Sequence, residues 1–341
     1  MCVVQVRNKK GVSIMETINY VNTTYHDDIK EDVLSGLTAS QKFIPSKYFY
    51  DARGSALFEK ICCLPEYYPT RTELSILSHA APSIMHYFTD GDIVELGAGA
   101  NWKIRILLDI VPKNKLSNIR YIPVDVSEAA LEASSEELLR MYPGLDLLGI
   151  VADFTRHMEM IPCDREKLFV FFGSTLGNFK EDERALFLKS VAGSMRTGDR
   201  LLLGIDMLKP RDILERAYND SSGITAEFNK NILNVLNRAL DADFDLDHFD
   251  HRAVFNAEKE RMEMYLQANV DVAAEISSLG LTVKLEQGER ILTEVCRKFT
   301  KGSVDRMAFN AGLNVTKWFS DPKGWFSLVE MERWNEGGEE R

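Results

Sequence analysis

A short string in the middle of the chain, VELGAGANWK, carries an apolar run into Gly97-Ala98-Gly99 and then into a helical pattern starting near Lys103. Glycines at such a junction let backbone approach a ligand closely and take dihedral angles that other residues avoid. Asp125 closes IRYIPVD and Asp153 closes GIVAD. If these runs are neighbouring parallel strands, both carboxylates stand at the carboxyl edge of the sheet beside the glycine turn. A carboxylate on the second strand suits ribose hydroxyls, and one on the third suits an exocyclic amine. A dinucleotide fingerprint would want glycine at position 102, where this chain has Trp102, which argues against a dehydrogenase. Taken alone, the glycine pair also fits a plain strand-to-helix turn.

The elements that must hold these residues are written in alternating patterns. DIVELG, IRYIPVDV, LLGIVADF, LFVFFG and RLLLGID are separated by amphipathic stretches such as SEAALEASSEELLRMY and EDERALFLKSVAGSM. That rhythm predicts a parallel sheet with helices on both faces. Thr70 and Glu73 have capping-box spacing at the head of the preceding helix, whose Leu74, Ile76, Leu77, Ile84 and Met85 form a sheet-facing stripe. After RLLLGID the rhythm changes. Pro210 opens a helix, DSSG at 220–223 breaks it, and the helical EFNKNILNVLNRAL follows. Strand-like ERMEMYLQANV and RILTEVCRKF then flank an amphipathic AAEISSLG. The rhythm returns with helix VDRMAFNAGL and two strands, NVTKWFS and WFSLVEM, meeting at DPKG. The expected organisation is a discontinuous domain, 72–208 plus 299–341, and a second lobe, 20–71 plus 209–298, with a ligand cleft between them.

Composition narrows the function classes. With 341 residues, 45% hydrophobic and 27% charged, the chain is an ordinary globular protein. A net charge of -11 without a Lys/Arg run excludes nucleic acid as the expected partner. Five cysteines without a C-x-x-C pair suit free thiols in a reducing cytoplasm. No apolar run reaches the roughly 18 residues of a membrane span, and the charge-interrupted N-terminus is not a signal peptide. The polar first 20 or so residues and the NEGGEER tail read as loose. Asp247, His248, Asp250 and His251 in DLDHFDH resemble metal ligands by composition, but an acidic loop or solvated helix end is the better reading, and no metal is expected. His79, His86 and His157 have no nucleophile partner, so no hydrolase triad is read.

The glycine turn, the two strand-end aspartates and the terminal strand pair together resemble the S-adenosylmethionine-binding methyltransferase fold, α/β and Rossmann-like, whose sheet adds an antiparallel seventh strand, here WFSLVEM. Longer strings, KYFYDARGSALFEKICCLPEYYPTRTEL, VFFGSTLGNF, AYNDSSGITAEFNKNIL and RILTEVCRKF, resemble the histidine-specific N-α-methyltransferase family of ergothioneine biosynthesis from about residue 40 to 335. Its relatives include enzymes acting on other amino acids, such as prenylated tryptophan.

The resemblance implies an inserted α+β substrate-binding lobe, S-adenosylmethionine as cofactor, and Gly97, Gly99, Lys103, Asp125, Asp153 and Phe154 around it. It implies an amino-acid site of Tyr50, Tyr67, Asn178, Tyr218, Met264, Glu294 and Cys296, with Tyr50 and Asn178 closest to the chemistry. Some roles follow from residue type. Asn178 follows Gly177 beyond the fourth strand, and its amide can donate to a carboxylate and accept from an amine, although Asn after Gly is also a common turn. Glu294 and Cys296, two apart in a strand, share a face with Leu292. A carboxylate facing an imidazole N–H makes a charge-assisted hydrogen bond, and such pockets reject analogues by on the order of 10⁴. The tyrosines, with Tyr68 as the comparison case, are equally read as packing residues.

The chain departs from the family pattern at Cys296, where histidine-specific members carry Ser, and at Ala98 and Ala100, where hydroxyl residues are common. Cysteine donates weakly, which softens one imidazole contact. The expected reaction is trimethylation of histidine at its α-amine to a betaine, by in-line transfer with positioning as the main catalytic term. A modified histidine such as thiohistidine, a tryptophan derivative, or noncatalytic cofactor binding are the other readings. The expected protein is a cytoplasmic monomer acting on a small molecule.

Overall fold

In a computed structural model, residues 2–6, 15–20, 25–86 and 88–334 are described. In chain order the elements are β1 (Cys2–Val6), β2 (Met15–Asn19), α1 (Tyr25–Thr38), α2 (Ala52–Cys62), α3 (Tyr68–Met85), β3 (Gly91–Leu96), α4 (Trp102–Leu108), β4 (Ile119–Asp125), α5 (Glu128–Met141), β5 (Asp146–Val151), β6 (Lys167–Phe171), α6 (Glu181–Ser194) and β7 (Arg200–Asp206). Then follow α7 (Arg211–Ala217), α8 (Ile224–Leu240), β8 (Phe249–Asn256), β9 (Arg261–Ala268), β10 (Val272–Ile276), β11 (Leu281–Leu285), β12 (Arg290–Arg297), α9 (Lys301–Asn310), β13 (Leu313–Ser320) and β14 (Phe326–Arg333). The chain divides into two compact units, Met1–Asn22 with Thr72–Met207 and Phe299–Arg341, and Thr23–Arg71 with Leu208–Lys298.

The first unit is built on a nine-stranded sheet in the order β1-β2-β5-β4-β3-β6-β7-β14-β13. Strands β2 to β7 pair in parallel, while β14 runs antiparallel between β7 and β13. The antiparallel strand therefore falls on WFSLVEM, as the resemblance implied. Strands β3, β6 and β7 are buried along their whole length. This is why they read as continuous apolar runs rather than alternating ones. Alternate residues feed two cores. Ile93, Tyr121, Leu147 and Leu168 meet Ile76, Leu77, Ile84 and Met85 of α3 and Ile104 and Leu107 of α4 on one face. Val94, Val124, Ile150 and Phe169 meet Phe187 and Val191 of α6 and Val304 and Ala308 of α9 on the other.

Two expectations change here. The N-terminal segment, read as loose, forms β1 and β2, with β2 extending the sheet beside β5. Short alternating runs such as METIN carry little periodic signal until a sheet edge is there to pair with. The capping box is also displaced. Helix α3 starts at Tyr68, so Thr70 lies inside its first turn, and the Glu73 carboxylate is used elsewhere. The charged tail from 335 lies outside the described residues.

The second unit holds a three-stranded antiparallel sheet, β12-β9-β8, and the hairpin β10-β11. The latter replaces the single amphipathic stretch read over AAEISSLG. Helix α8 begins where the sequence broke. Asp220 accepts from the backbone N–H groups of Ile224 at 3.0 Å and Thr225 at 2.8 Å, satisfying donors that the helix start leaves open. Phe228 of α8 stacks on Phe49 at 4.5 Å, anchoring the segment that leads to Tyr50.

The β7–β14 seam contains a buried ion pair, Arg200 to Glu330 at 3.4 Å, and Glu330 also takes Lys317 at 3.1 Å. Removing one partner strands the other charge in the core. Glu330→Ala should cost about 3–5 kcal/mol in urea unfolding, whereas the isosteric Glu330→Gln, which keeps an acceptor for Arg200, should cost clearly less.

Candidate functional site

Each unit gathers its own set of polar residues. In the first, the parallel register brings the ends of β3, β4 and β5 to one edge. The N–H of Gly97 donates to Val124 O at 2.9 Å, and that of Ala152 to Asp125 O at 2.9 Å, tying the three strand ends together. Gly97 has φ +70°, a left-handed conformation that a side chain would strain, and a Cβ there would meet the Phe154 ring at 3.5 Å. At Gly99 a Cβ would enter open space, so the turn leaves room above it. Asp125 accepts from the N–H of Ser127 at 2.9 Å. Burial outweighs that bond and pushes its carboxyl up to about 6. Asp153, two residues beyond β5, accepts from the N–H of Thr155 at 2.9 Å and its hydroxyl at 2.5 Å. Phe154 packs among Phe171, Phe179 and Phe187. A close-approach glycine turn, open space above it and two strand-end carboxylates fit a nucleoside-bearing cofactor.

Lys103 is held by a partner that sequence reasoning assigned to a helix cap. Its ammonium lies 2.7 Å from the Glu73 carboxylate, which is fully buried. Glu73 also accepts from the N–H of Gly173 at 2.8 Å. Gly173 (φ +76°) and Ser174 (φ +57°) are both left-handed, and the Ser174 hydroxyl accepts from the N–H of Asp206 at 2.9 Å. Backbone strain of this kind persists only where surroundings over-determine it. Here it sets the single 3-10 turn Thr175–Asn178, which ends at the candidate Asn178. Glu73, 100 residues from Gly173, thus links the lysine and the turn.

In the second unit, Tyr67 is the focus. Desolvation, then the thiols Cys62 and Cys296, the Glu294 carboxylate and Tyr50 hold its hydroxyl well above the ordinary phenol range. Ring contacts continue the enclosure, with Tyr67 on Tyr218 at 6.2 Å and on Phe58 at 6.2 Å, and Tyr50 on Phe58 at 5.8 Å and on Phe228 at 5.9 Å. Met264, buried, is the register partner of Glu294 across the β9–β12 ladder. Tyr50, Tyr67, Tyr218, Met264, Glu294 and Cys296 are therefore brought together, and Asn178 belongs to the other unit. Tyr68 behaves as the packing residue it was compared with, accepting from Lys209 Nζ at 2.7 Å.

The expectation that Leu292 shares a face with Glu294 and Cys296 fails. The register slips between Leu292, opposite Tyr265, and Glu294, opposite Met264. Neighbours on β9 face opposite ways, so Leu292 is turned away from Glu294. The extra residue is Thr293, whose buried hydroxyl donates to Asn229 Oδ1 at 2.6 Å. The Asn229 amide donates to Tyr265 O at 3.0 Å and to His251 Nδ1 at 2.8 Å, and His251 Nε2–H donates to Tyr218 O at 2.8 Å. Burial holds His251 below its ordinary pKa, in the neutral form these bonds require. His251, read as part of an acidic loop or helix end, lies instead on β8. Sequence reasoning also missed Lys298, although it continues the i, i+2 alternation of Glu294 and Cys296.

The chain matches the family model for histidine-specific, S-adenosylmethionine-dependent methyltransferases over residues 29–333. It is 43% identical over 303 residues to a histidine N-α-methyltransferase of Mycobacterium tuberculosis, covering 89% of this chain and 94% of that one. It is 44% identical over 300 residues to the same-named protein of Mycolicibacterium smegmatis, covering 88% and 93%. A match of 30% over 241 residues, 67% of this chain and 31% of the other, is to ergothioneine biosynthesis protein 1 of Schizosaccharomyces pombe. No helix among the described residues is long and apolar enough to cross a membrane.

Glu95 on β3 gives a stability prediction. Burial pushes its carboxyl up to about 7 although Tyr121 donates to it at 2.6 Å. A raised folded-state pKa means stability that is present below the unfolded value near 4.5 and lost as pH rises through about 7. Glu95→Gln should therefore be the more stable protein at pH 8, by up to about 3 kcal/mol, with the gap closing toward pH 4. Urea unfolding at both pH values measures it.

Proposed function

The chain belongs to the histidine-specific, S-adenosylmethionine-dependent methyltransferase family, and from that premise we propose that it methylates the α-amine of L-histidine, in three rounds, to a betaine. The observation that carries the substrate is the cluster of Glu294, Cys296 and Tyr67 inside an aromatic enclosure. Glu294 presents a carboxylate to an imidazole N–H, and an indole or aliphatic side chain would leave that carboxylate unpaired. Met264 closes the pocket across the ladder, and the Asn178 amide serves the amino-acid backbone. Cys296, in place of the family's serine, makes the second imidazole contact a soft one.

Gly97, Gly99, Lys103, Asp125, Asp153 and Phe154 would hold the cofactor, which when bound supplies an electrophilic methyl on a positively charged sulfonium. The protein's part is positioning and proton removal. An α-amine is largely protonated at neutral pH and must shed a proton before it can react. Tyr67 stays a neutral phenol and orients the amine without acting as base. Tyr50, 44% exposed, offers the proton a route to solvent water. Because each methyl removes an N–H donor, binding rests on the carboxylate and side chain, leaving the nitrogen to turn between rounds. The working form is a cytoplasmic monomer that takes no nucleic acid.

Mass spectrometry of the protein with S-adenosylmethionine and a pool of free amino acids should show histidine gaining three methyl groups. Methylation of another amino acid, or of none, would sink the substrate assignment. Glu294→Ala should lower kcat/KM for histidine by roughly 10- to 100-fold while leaving cofactor affinity unchanged. Protonated Asp125 is a weaker acceptor for ribose hydroxyls than the carboxylate, so cofactor affinity should hold above about pH 6 and fall below it. Asp125→Asn should bind about tenfold more weakly with that pH dependence gone, as read by calorimetry.

A further inference from the structure

Glu73 is a carboxylate sealed inside the first unit, with none of its side chain exposed, and it serves two donors at once. Its Oε2 lies 2.7 Å from the Lys103 ammonium, and its Oε1 accepts from the N–H of Gly173 at 2.8 Å, with Oε2 at 3.1 Å from the same N–H. We propose that Glu73 is a positioning residue of the transfer site, one carboxylate fixing both Lys103, assigned above to the cofactor, and the turn that ends at Asn178, assigned above to the amino acid. This rests on the function proposed above.

The fold makes room for this carboxylate. Strand β7 is buried along its whole length, yet it carries Gly204 beside Glu73, where a Cβ would overlap Oε1. On the other side a Cβ at Gly173 would come within 3.4 Å of the Lys103 ammonium. Two bare positions thus bound a pocket of carboxylate size, and a charge buried there is tolerable only while it is paired.

The donor inventory says why the residue is an acid. An ammonium and a backbone N–H only donate, so both partners need an acceptor, and a carboxylate offers an oxygen to each. Glutamine, of the same length, offers one oxygen and one NH2 group. It can serve one donor and must turn its own N–H toward the other. Lys103 keeps 19% of its side chain exposed and can turn to water. The Gly173 N–H belongs instead to the left-handed pair Gly173 and Ser174 that sets the turn Thr175–Asn178. With glutamine the backbone keeps the oxygen and the lysine is released. With an apolar residue both are released, and the strained turn loses one of the contacts that hold it.

The test reads two affinities by calorimetry on the whole protein. S-adenosylhomocysteine carries an amino-acid carboxylate, the group an ammonium would take, and methylthioadenosine lacks it, so the preference between them reads the lysine. L-Histidine binding with methylthioadenosine present reads the turn. Glu73→Gln should cut the preference about tenfold and leave histidine affinity within about threefold of the wild type. Glu73→Met should cut the preference equally and also weaken histidine about tenfold or more. Glu73→Ala repeats that comparison if the methionine variant does not fold. Lys103→Met should cut the preference as well, and in combination with Glu73→Gln no further than the worse single. A preference unchanged or raised in Glu73→Gln, equal weakening of both nucleosides, or a histidine loss no larger in Glu73→Met than in Glu73→Gln would overturn the assignment, while histidine binding by the wild type leaves the substrate reading standing. A wild type that binds no histidine would overturn both.

Discussion

The second unit depends on one fully used polar chain through its interior, from Thr293 through Asn229 and His251 to the backbone of Tyr218. Buried polar groups must be paired, and a half-satisfied network costs more than an apolar core. Thr293, the extra residue of the β12 bulge, is paired to Asn229, and the bulge decides which way Glu294 faces. With unbroken pairing, Glu294 and Cys296 would lie on the other side of the sheet, because a one-residue slip reverses every side chain. The placement of the candidate carboxylate is thus tied to a bulge whose threonine is paired through an asparagine to a neutral histidine.

The first unit makes the opposite use of polarity. Glu95 and Asp125 are carboxyls whose burial raises their pKa values to about 7 and about 6, a standing cost to the fold near neutral pH. Two apolar cores, one on each face of the sheet, offset it. Costly charge is kept where strands end beside the glycine turn, which is where a doubly wound sheet opens toward ligand.

Much of this was written locally. Fully buried parallel strands are continuous apolar runs, so β3 to β7 and the acids at their ends could be placed from periodicity. The break between α7 and α8 announced itself by DSSG. What stayed hidden shares a physical cause, since it depends on partners far along the chain. Glu73 has capping-box spacing with Thr70, but Gly173, 100 residues on, claims its carboxylate. The bulge at Thr293 breaks a period-2 pattern by one residue, and nothing within RILTEVCRKF marks where. Nothing local marks Lys298 either, since its ammonium meets Tyr218, 80 residues earlier.

Charge ties the two halves of the proposed reaction together. Methyl transfer removes a positive charge from the sulfonium and leaves the by-product neutral at sulfur, while three rounds leave a permanent cation on the amino-acid nitrogen. Around Glu95 the first unit sets two further carboxyls, Glu73 and Asp125, and one ammonium, Lys103, which is paired with Glu73. On the proposed reading, a carboxylate about 8 Å from the sulfonium would favour the charged donor over its spent form by about 2 kcal/mol at an effective dielectric near 20. Repeated methylation needs such an exchange at every round. In the second unit, on the proposed reading, Glu294 holds the imidazole, which does not change from round to round. Binding that is indifferent to the changing nitrogen and constant at the side chain is what three rounds on one substrate demand.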